Sequence, residues 1–140
     1  MVEQGLVQYI QAGIGSPPIA PGGWATQLPK DLIGEKANQV RMAWVWRSIT
    51  APPTDVLEGQ DGVTPWSLAI DCHGYTAADS ISLARRIDGV LRGARSVTLP
   101  DADSTFVQAI HRDPPAIDGI NDLNRSFVRT LQYTVTYNQT

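Results

Sequence analysis

The stretch that decides the fold is WSLAIDCHGYTAADSISLARRIDGVLR, residues 66–92. Its first part, 66–73, alternates apolar and more polar side chains, and this period of two predicts a β-strand with one buried face. Its second part, 76–92, repeats apolar residues every three or four positions, which predicts an amphipathic helix. Thr76 and Asp79 have the spacing of a capping box, so the helix is expected to begin there.

Further elements are predicted on both sides of this segment. A short helix is predicted over residues 2–12, whose apolar side chains fall on one helical face. Other strands are predicted over residues 24–28, 41–49, 95–99, 105–112 and 126–137. Loops rich in Pro and Gly are predicted over residues 13–23, 51–65 and 113–124.

These elements follow the order α-β-β-β-α-β-β-β, which predicts an α+β fold. The connections after the second helix are too short for helical crossovers, so the strands there should be antiparallel. We expect one antiparallel sheet, with both helices packed on the face that carries Trp66, Leu68 and Ile70. The length of 140 residues is that of a single domain, residues 1–140.

Composition and charge narrow the classes of function. The net charge of -3 argues against a dedicated nucleic-acid-binding protein, which would usually carry a dominant basic face. The single cysteine, Cys72, excludes an internal disulfide. No apolar run approaches the ~20 residues of a membrane span, and the N-terminus has no signal-peptide pattern. We therefore expect a protein that is made in, and stays in, a cytoplasm.

Signatures of catalysis and metal binding are absent from the sequence, so no catalytic residue, metal ligand or cofactor is predicted. The one tempting triplet is Asp71-Cys72-His73. Neighbours on a strand point to opposite faces, so Cys72 should turn away from Asp71 and His73. We interpret the triplet as a core cysteine beside two exposed polar residues.

Three tryptophans leave a second question open. Trp44, Trp46 and Trp66 lie on two predicted strands, and such side chains can form a platform on which a ligand stacks. More often they belong to a core or to the apolar centre of a protein interface. The second interpretation is the one that we favour.

Several stretches together resemble a known protein family. They are 46–49 (WRSI), 57–64 (LEGQDGVT), 68–72 (LAIDC), 75–79 (YTAAD), 83–84 (LA) and 127–135 (FVRTLQYTV). In pattern and order they resemble the tail-terminator, or tail-completion, proteins of long-tailed bacteriophages and of related gene-transfer particles. The resemblance covers residues 44–93 and 125–137.

This resemblance implies a structural subunit of the virion neck, without catalysis or cofactor. Six copies would form a ring on the head-proximal end of the tail tube, assembled in the cytoplasm of the bacterial host. The ring would stop tube growth and offer a surface to the head-side connector or stopper protein. DNA would pass through it without sequence-specific binding, and no membrane would be involved.

The predicted interface lies mainly in the loop that precedes the strand predicted over residues 66–73. Its candidate residues, for contact with a neighbouring subunit or with the tube, are Pro52, Pro53, Asp55, Leu57, Glu58, Asp61 and Trp66. Leu57 is the candidate apolar anchor. Two alternatives remain open: another neck protein, such as a head-completion or adaptor subunit, or a small ligand-binding α+β domain.

Overall fold

Two helices and six strands follow one another in the predicted order in a computed structural model of the chain. The structure describes residues 2–15, 24–25, 27–29, 31–49, 63–100, 105–121 and 126–138. The elements are α1 (Val2–Ile14), β1 (Trp24–Ala25), β2 (Met42–Ser48), β3 (Val63–Gly74), α2 (Ala77–Leu91), β4 (Arg95–Thr98), β5 (Phe106–Asn121) and β6 (Ser126–Asn138).

The six strands form one sheet in the order β1-β2-β3-β6-β5-β4. Every neighbouring pair is antiparallel except β1 and β2, which run parallel over two residues at the edge of the sheet. The α+β class and the element order are thus confirmed. The parallel pair at the edge is a difference from the wholly antiparallel sheet that the sequence predicted.

Both helices pack on the predicted face, called here the helix-covered face. Leu6 and Ile10 of α1, together with Leu83 and Ile87 of α2, join the same buried cluster as Leu68 and its strand neighbours. These side chains recur at helical spacing in α1 and α2, whereas on β3 they alternate. The helix-covered face therefore contains the main core.

The start of α2 confirms the capping box. The Asp79 backbone N–H donates to Thr76 Oγ1 at 3.1 Å, and the Thr76 N–H donates to Asp79 Oδ2 at 3.2 Å. Gly74 precedes this turn, and a Cβ there would collide with the backbone of Ser80. A glycine is therefore needed where β3 passes directly beneath the first turn of α2.

Four predicted boundaries differ by two residues or more. Strand β1 ends at Ala25 and not at Leu28. Helix α1 continues past Gly13 to Ile14, and a side chain at Gly13 would meet Val90 of α2, so this glycine permits a close helix–helix contact. Strand β3 begins at Val63, three residues earlier than predicted. Strand β5 continues to Asn121, through most of the predicted 113–124 loop.

The extension of β5 is possible because its pairing with β6 shifts register between Asp113 and Ile117. Pro114 and Pro115 occupy this irregularity, and prolines within sheets are confined to edges and bulges because they donate no ladder hydrogen bond. Beyond it, regular pairing resumes between Ile117 and Thr130. The prolines therefore interrupt the ladder without ending the strand.

A second, smaller cluster lies on the opposite face, called here the open face. Leu28 and Ile33 pack against Ala43 and Val45 of β2, with Trp24, Leu32 and Val40 around them. The chain between β1 and β2 therefore covers the open face at the β1–β2 edge of the sheet.

Candidate functional site

A groove of about 290 Å³ lies on the open face, beside the part covered by the chain before β2. Its polar side chains come mainly from the central strands and include Arg47, Asp71, His73 and Thr130. Its full lining is Gln27, Leu28, Val45, Arg47, Asp71, His73, Ile117, Asp118, Gly119, Ile120, Val128 and Thr130. The groove thus combines one polar centre with apolar walls.

Asp71 is at the polar centre, and both of its carboxylate oxygens accept hydrogen bonds from within the chain. Its Oδ1 accepts a hydrogen bond from Thr130 Oγ1 at 2.6 Å, and its Oδ2 accepts one from Arg47 Nε at 3.3 Å. Both carboxylate oxygens therefore have partners that fix their direction. This arrangement positions a charge pair in which each carboxylate oxygen accepts one hydrogen bond.

His73 differs from its predicted environment. It is only 4% exposed, because β3 lies between β2 and β6 and its neighbours in register are Ala43 and Val128. Its Nδ1 lies 2.8 Å from the Oγ of the buried Ser126. Burial lowers the pKa of His73, and the nearby Asp71 carboxylate opposes that shift. The interpretation of His73 as an exposed residue was wrong.

The Asp71-Cys72-His73 triplet is divided between the two faces, as its alternation predicted. Cys72 is wholly buried in the main core on the helix-covered face, and burial raises the pKa of its thiol. Ser126, the hydroxyl beside His73, is also wholly buried and offers no accessible nucleophile. Within the described ranges, no cluster of three or more His, Cys, Asp or Glu side chains could hold a metal ion.

A second surface lies where β5 and β6 approach their connection. Its exposed apolar side chains are Ile117, Ile120 and Phe127, which are 56%, 67% and 39% exposed and are called here the hairpin end. Ile117 pairs with Thr130 and Ile120 with Phe127, so the two isoleucines lie on opposite faces of β5. Apolar side chains therefore flank both faces of one strand at the edge of the groove.

The charged side chains at the hairpin end are paired with each other. Arg129 donates to both oxygens of Asp118, from Nε at 2.7 Å and from Nη2 at 2.9 Å. The Arg129 guanidinium lowers the pKa of the Asp118 carboxyl through these hydrogen bonds. The surface is consequently apolar and close to neutral.

The outer edge of β5 is only partly covered. Strand β4 pairs with β5 between Phe106 and Ala109, and the Ile110 N–H donates to the carbonyl of Ala94 at 3.0 Å. In the part of the chain that the structure describes, no strand pairs with the outer edge beyond Ile110. Backbone groups along this edge are therefore available to a further strand.

Of the residues that the sequence singled out for an interface, only Trp66 lies among the described residues. Six of them, Pro52, Pro53, Asp55, Leu57, Glu58 and Asp61, lie outside the described residues. Trp66 lies in the main core at 1% exposed, and its Nε1 donates to Ser48 Oγ at 3.0 Å. Its side chain is therefore not at the surface of the folded chain. Trp44 is also wholly buried in that core, and Trp46 packs against it.

Sequence reasoning missed the hairpin end because the Pro-Pro and Asp-Gly pairs in 113–120 are typical of a loop. The spacing of Ile117 and Ile120 does not show the alternation of a half-buried strand, since the two side chains lie on opposite faces. A usable signal was the length of the alternating pattern in 126–137, which requires a partner of comparable length.

Comparison with known proteins adds no family. No protein-family model matches the chain, and no curated protein matches it. In the described residues, neither helix has the length and apolar character that crossing a membrane requires.

Proposed function

We propose that this protein is a structural subunit that forms a ring on the head-proximal end of a phage tail tube. In this role it ends tube growth and provides the surface for head–tail joining. Its partners are further copies of itself, the tail tube protein and a head-side connector or stopper protein. Its place is the neck of the virion, after assembly in the bacterial cytoplasm, and it acts without catalysis or cofactor.

The observation that carries this proposal is the open outer edge of β5 with the apolar hairpin end beside it. A ring subunit needs two different surfaces that fit each other, because head-to-tail contacts close a cycle. A strand edge that no described strand pairs with, flanked by Ile117 and Ile120, is suited to such a contact. The α+β element order also agrees with the family that the sequence resembles.

The length of the β5–β6 hairpin supports an assembly role as well. Its strands have 16 and 13 residues, whereas strands of about 5–6 residues are most common in globular domains. On β6 the core side chains extend from Leu131 to Tyr137, but Phe127 at the other end is 39% exposed. Phe127 and its partner Ile120 therefore lie beyond the core and are not stabilised by burial, although Ser126 beside them is buried.

The alternative of a different neck protein is less well supported. Head-completion and adaptor subunits are often more helical, whereas this chain has a six-stranded sheet with helices of 13 and 15 residues. A circular dichroism spectrum dominated by helix would favour that alternative.

The second candidate function is ligand binding in the groove. It is favoured by one observation, the polar centre formed by Arg47, Asp71 and Thr130 within apolar walls. Asp71 already accepts hydrogen bonds from Thr130 and Arg47, which reduces what a ligand gains at that carboxylate, whereas the half-exposed Arg47 guanidinium keeps N–H donors to offer. A broad ligand screen with clear thermal stabilisation would favour this function over the ring.

The test is the solution mass of the purified protein over a wide concentration range, measured by light scattering on a sizing column. Negative-stain images should show closed rings of about six subunits. If only monomers are found, the protein is mixed with tubes of the tail tube protein from the same particle. A protein that neither forms rings nor binds the ends of those tubes would contradict the proposal.

A further inference from the structure

The hairpin end and the neighbouring β5 edge support a more specific inference, which rests on the proposed ring. We propose that the outer edge of β5 from Ile117 to Ile120 pairs with a β-strand of a second copy of this chain. The contact would extend the sheet from one copy to the next and would bury both isoleucines.

The first argument is the way in which the rest of the edge is protected. Natural sheets protect their edges with Lys, Pro, bulges or short covering strands. Along β5, strand β4 covers 106–109, and Pro114, Pro115 and the register shift interrupt the ladder beyond them. After this shift the pairing with β6 is regular again, and the exposed side chains are Ile117, Ile120 and Asp118, whose carboxylate is paired with Arg129. This one segment therefore has the features of an edge that accepts a strand.

The second argument concerns the chemistry of the partner. An open strand edge offers alternating backbone donors and acceptors, which another strand satisfies completely. Arg129 and Asp118 neutralise each other beside the edge, so among the described residues of the hairpin end no unpaired basic group is present to attract nucleic acid or an anionic lipid surface. The occupant that fits is a protein strand with apolar side chains.

The third argument identifies that occupant as a second copy. The sheet has two unlike edges in the described part of the chain. One is formed by β4 and by the part of β5 that β4 leaves uncovered, and the other by the two residues of β1. Contact between unlike edges is heterologous, and repeated contacts of this kind close a ring. Each copy of the chain thus carries both of the edges that such a contact requires.

The size of the surface agrees with a ring better than with an isolated dimer. Three exposed apolar side chains form a patch of at most a few hundred Å², which is well below the roughly 1,000 Å² of a stable interface. In a closed ring each copy is held by two such contacts, and closure makes the last contact intramolecular. The assembly should consequently be cooperative and dependent on concentration.

The test compares the wild type with Ile120→Lys and with a matched control, Ile49→Lys. Ile49 is 49% exposed and lies at the end of β2, far along the strands from the hairpin end. Both substitutions add one positive charge at an exposed isoleucine. Circular dichroism and thermal melting at low concentration verify that both variants fold.

Light scattering should show that Ile120→Lys raises the concentration needed for assembly by at least about tenfold, whereas Ile49→Lys leaves it within about twofold. Hydrogen exchange gives a readout specific to strand pairing. Amides of 117–120 should exchange more slowly in the assembled wild type than in the monomer, and the same protection should be lost in Ile120→Lys.

Each result bears on the edge contact and the ring separately. Wild-type rings that persist in Ile120→Lys would overturn the edge contact and leave the ring intact. A wild-type dimer that is lost in Ile120→Lys would support the edge contact and overturn the ring. If the wild type stays monomeric at every concentration, the comparison is made on tubes of the tail tube protein, and an Ile120→Lys variant that binds their ends as well as the wild type does would overturn the edge contact. Equal losses in both variants would also overturn it.

Discussion

The two faces of the sheet differ in what covers them. Two helices cover one face and enclose large side chains such as Trp44, Leu68 and Tyr133. On the other face, a small cluster around Leu28 is the cover that the described residues provide, and the groove lies beside it. The hairpin end has side chains on both faces of β5, beyond the helices and beyond this cluster. The stability of the domain should therefore depend on the helix-covered face, whereas the open face and its edge are available for interactions.

The same difference appears in the polar groups of the two faces. On the helix-covered face, Asp88 accepts hydrogen bonds from Tyr133 at 2.8 Å and from Arg112 at 3.3 Å. On the open face, Asp71 has comparable partners in Thr130 and Arg47 but borders a groove. The two carboxylates are similarly exposed, at 15% and 17%, but the Tyr133 donor is wholly buried whereas Thr130 is only half-buried. The hydrogen bond of the buried donor should contribute more to stability, because water is excluded from it.

The largest expected effect is that of Trp66→Ala. Removal of this buried side chain should lower the free energy of unfolding by about 3–5 kcal/mol, because a cavity replaces most of its contacts. The matched control is Ile120→Ala at the exposed hairpin end, which should change it by less than about 0.5 kcal/mol. Urea denaturation measures both values.

The result for Trp66→Ala also distinguishes a role of Trp66 in the core from a role in an interface. A variant that keeps wild-type stability but no longer assembles would contradict the core role and would favour the interface predicted from the sequence. A strongly destabilised variant would agree with the observed burial of Trp66.

The next largest effect should be that of Tyr133→Phe. The variant removes one hydrogen bond to the Asp88 carboxylate, and hydrogen bonds to charged groups contribute about 1.5–3 kcal/mol. Thr130→Val is the matched change on the open face, where the hydroxyl donates to Asp71. Equal losses of stability in the two variants would contradict the difference between the faces.

The features of the sequence that predicted the fold correctly are local and periodic. The alternation in 66–73, the helical spacing in 76–92 and the Thr76–Asp79 capping box each depend on residues close in sequence. Such patterns determine which face of an element is buried, so the layer of helices on Trp66, Leu68 and Ile70 followed directly. The element order and the α+β class could therefore be predicted.

The features that could not be predicted depend on contacts between distant residues. His73 is buried because β2 and β6 flank its strand, and neither neighbour is visible from the local pattern. Pro114 and Pro115 are typical of a loop, but the long partner β6 keeps β5 extended on both sides of them. The candidate site on the open face and the hairpin end is built from such contacts.

A smaller effect is expected in the pH dependence of stability. Burial lowers the pKa of His73 below 6.5, its usual value, so the unfolded chain takes up a proton more readily as the pH falls. Stability should therefore decrease as the pH falls below about 6.5. His73→Gln should weaken this decrease, as measured by unfolding in urea between pH 8 and pH 5.

The control for this prediction is His111→Gln, which removes the chain's other histidine from an exposed position on β5. It should retain the wild-type slope of stability against pH. If His73→Gln and His111→Gln gave the same slope, the buried contact of His73 with Ser126 would not be the source of the dependence.

The smallest effect should come from Asp118→Asn at the hairpin end. Asp118 is largely exposed, so its paired hydrogen bonds with Arg129 should contribute less than about 1 kcal/mol, and high salt should reduce the difference further. Because Arg129 lowers the pKa of Asp118, the contribution is present above pH 3.8, the usual pKa of that group, and is lost as the pH falls through the lowered value. Urea denaturation at low and high salt measures it. A salt-independent loss as large as that of Tyr133→Phe would mean that the hairpin end is as rigid as the helix-covered face, and the contrast between the two regions would then fail.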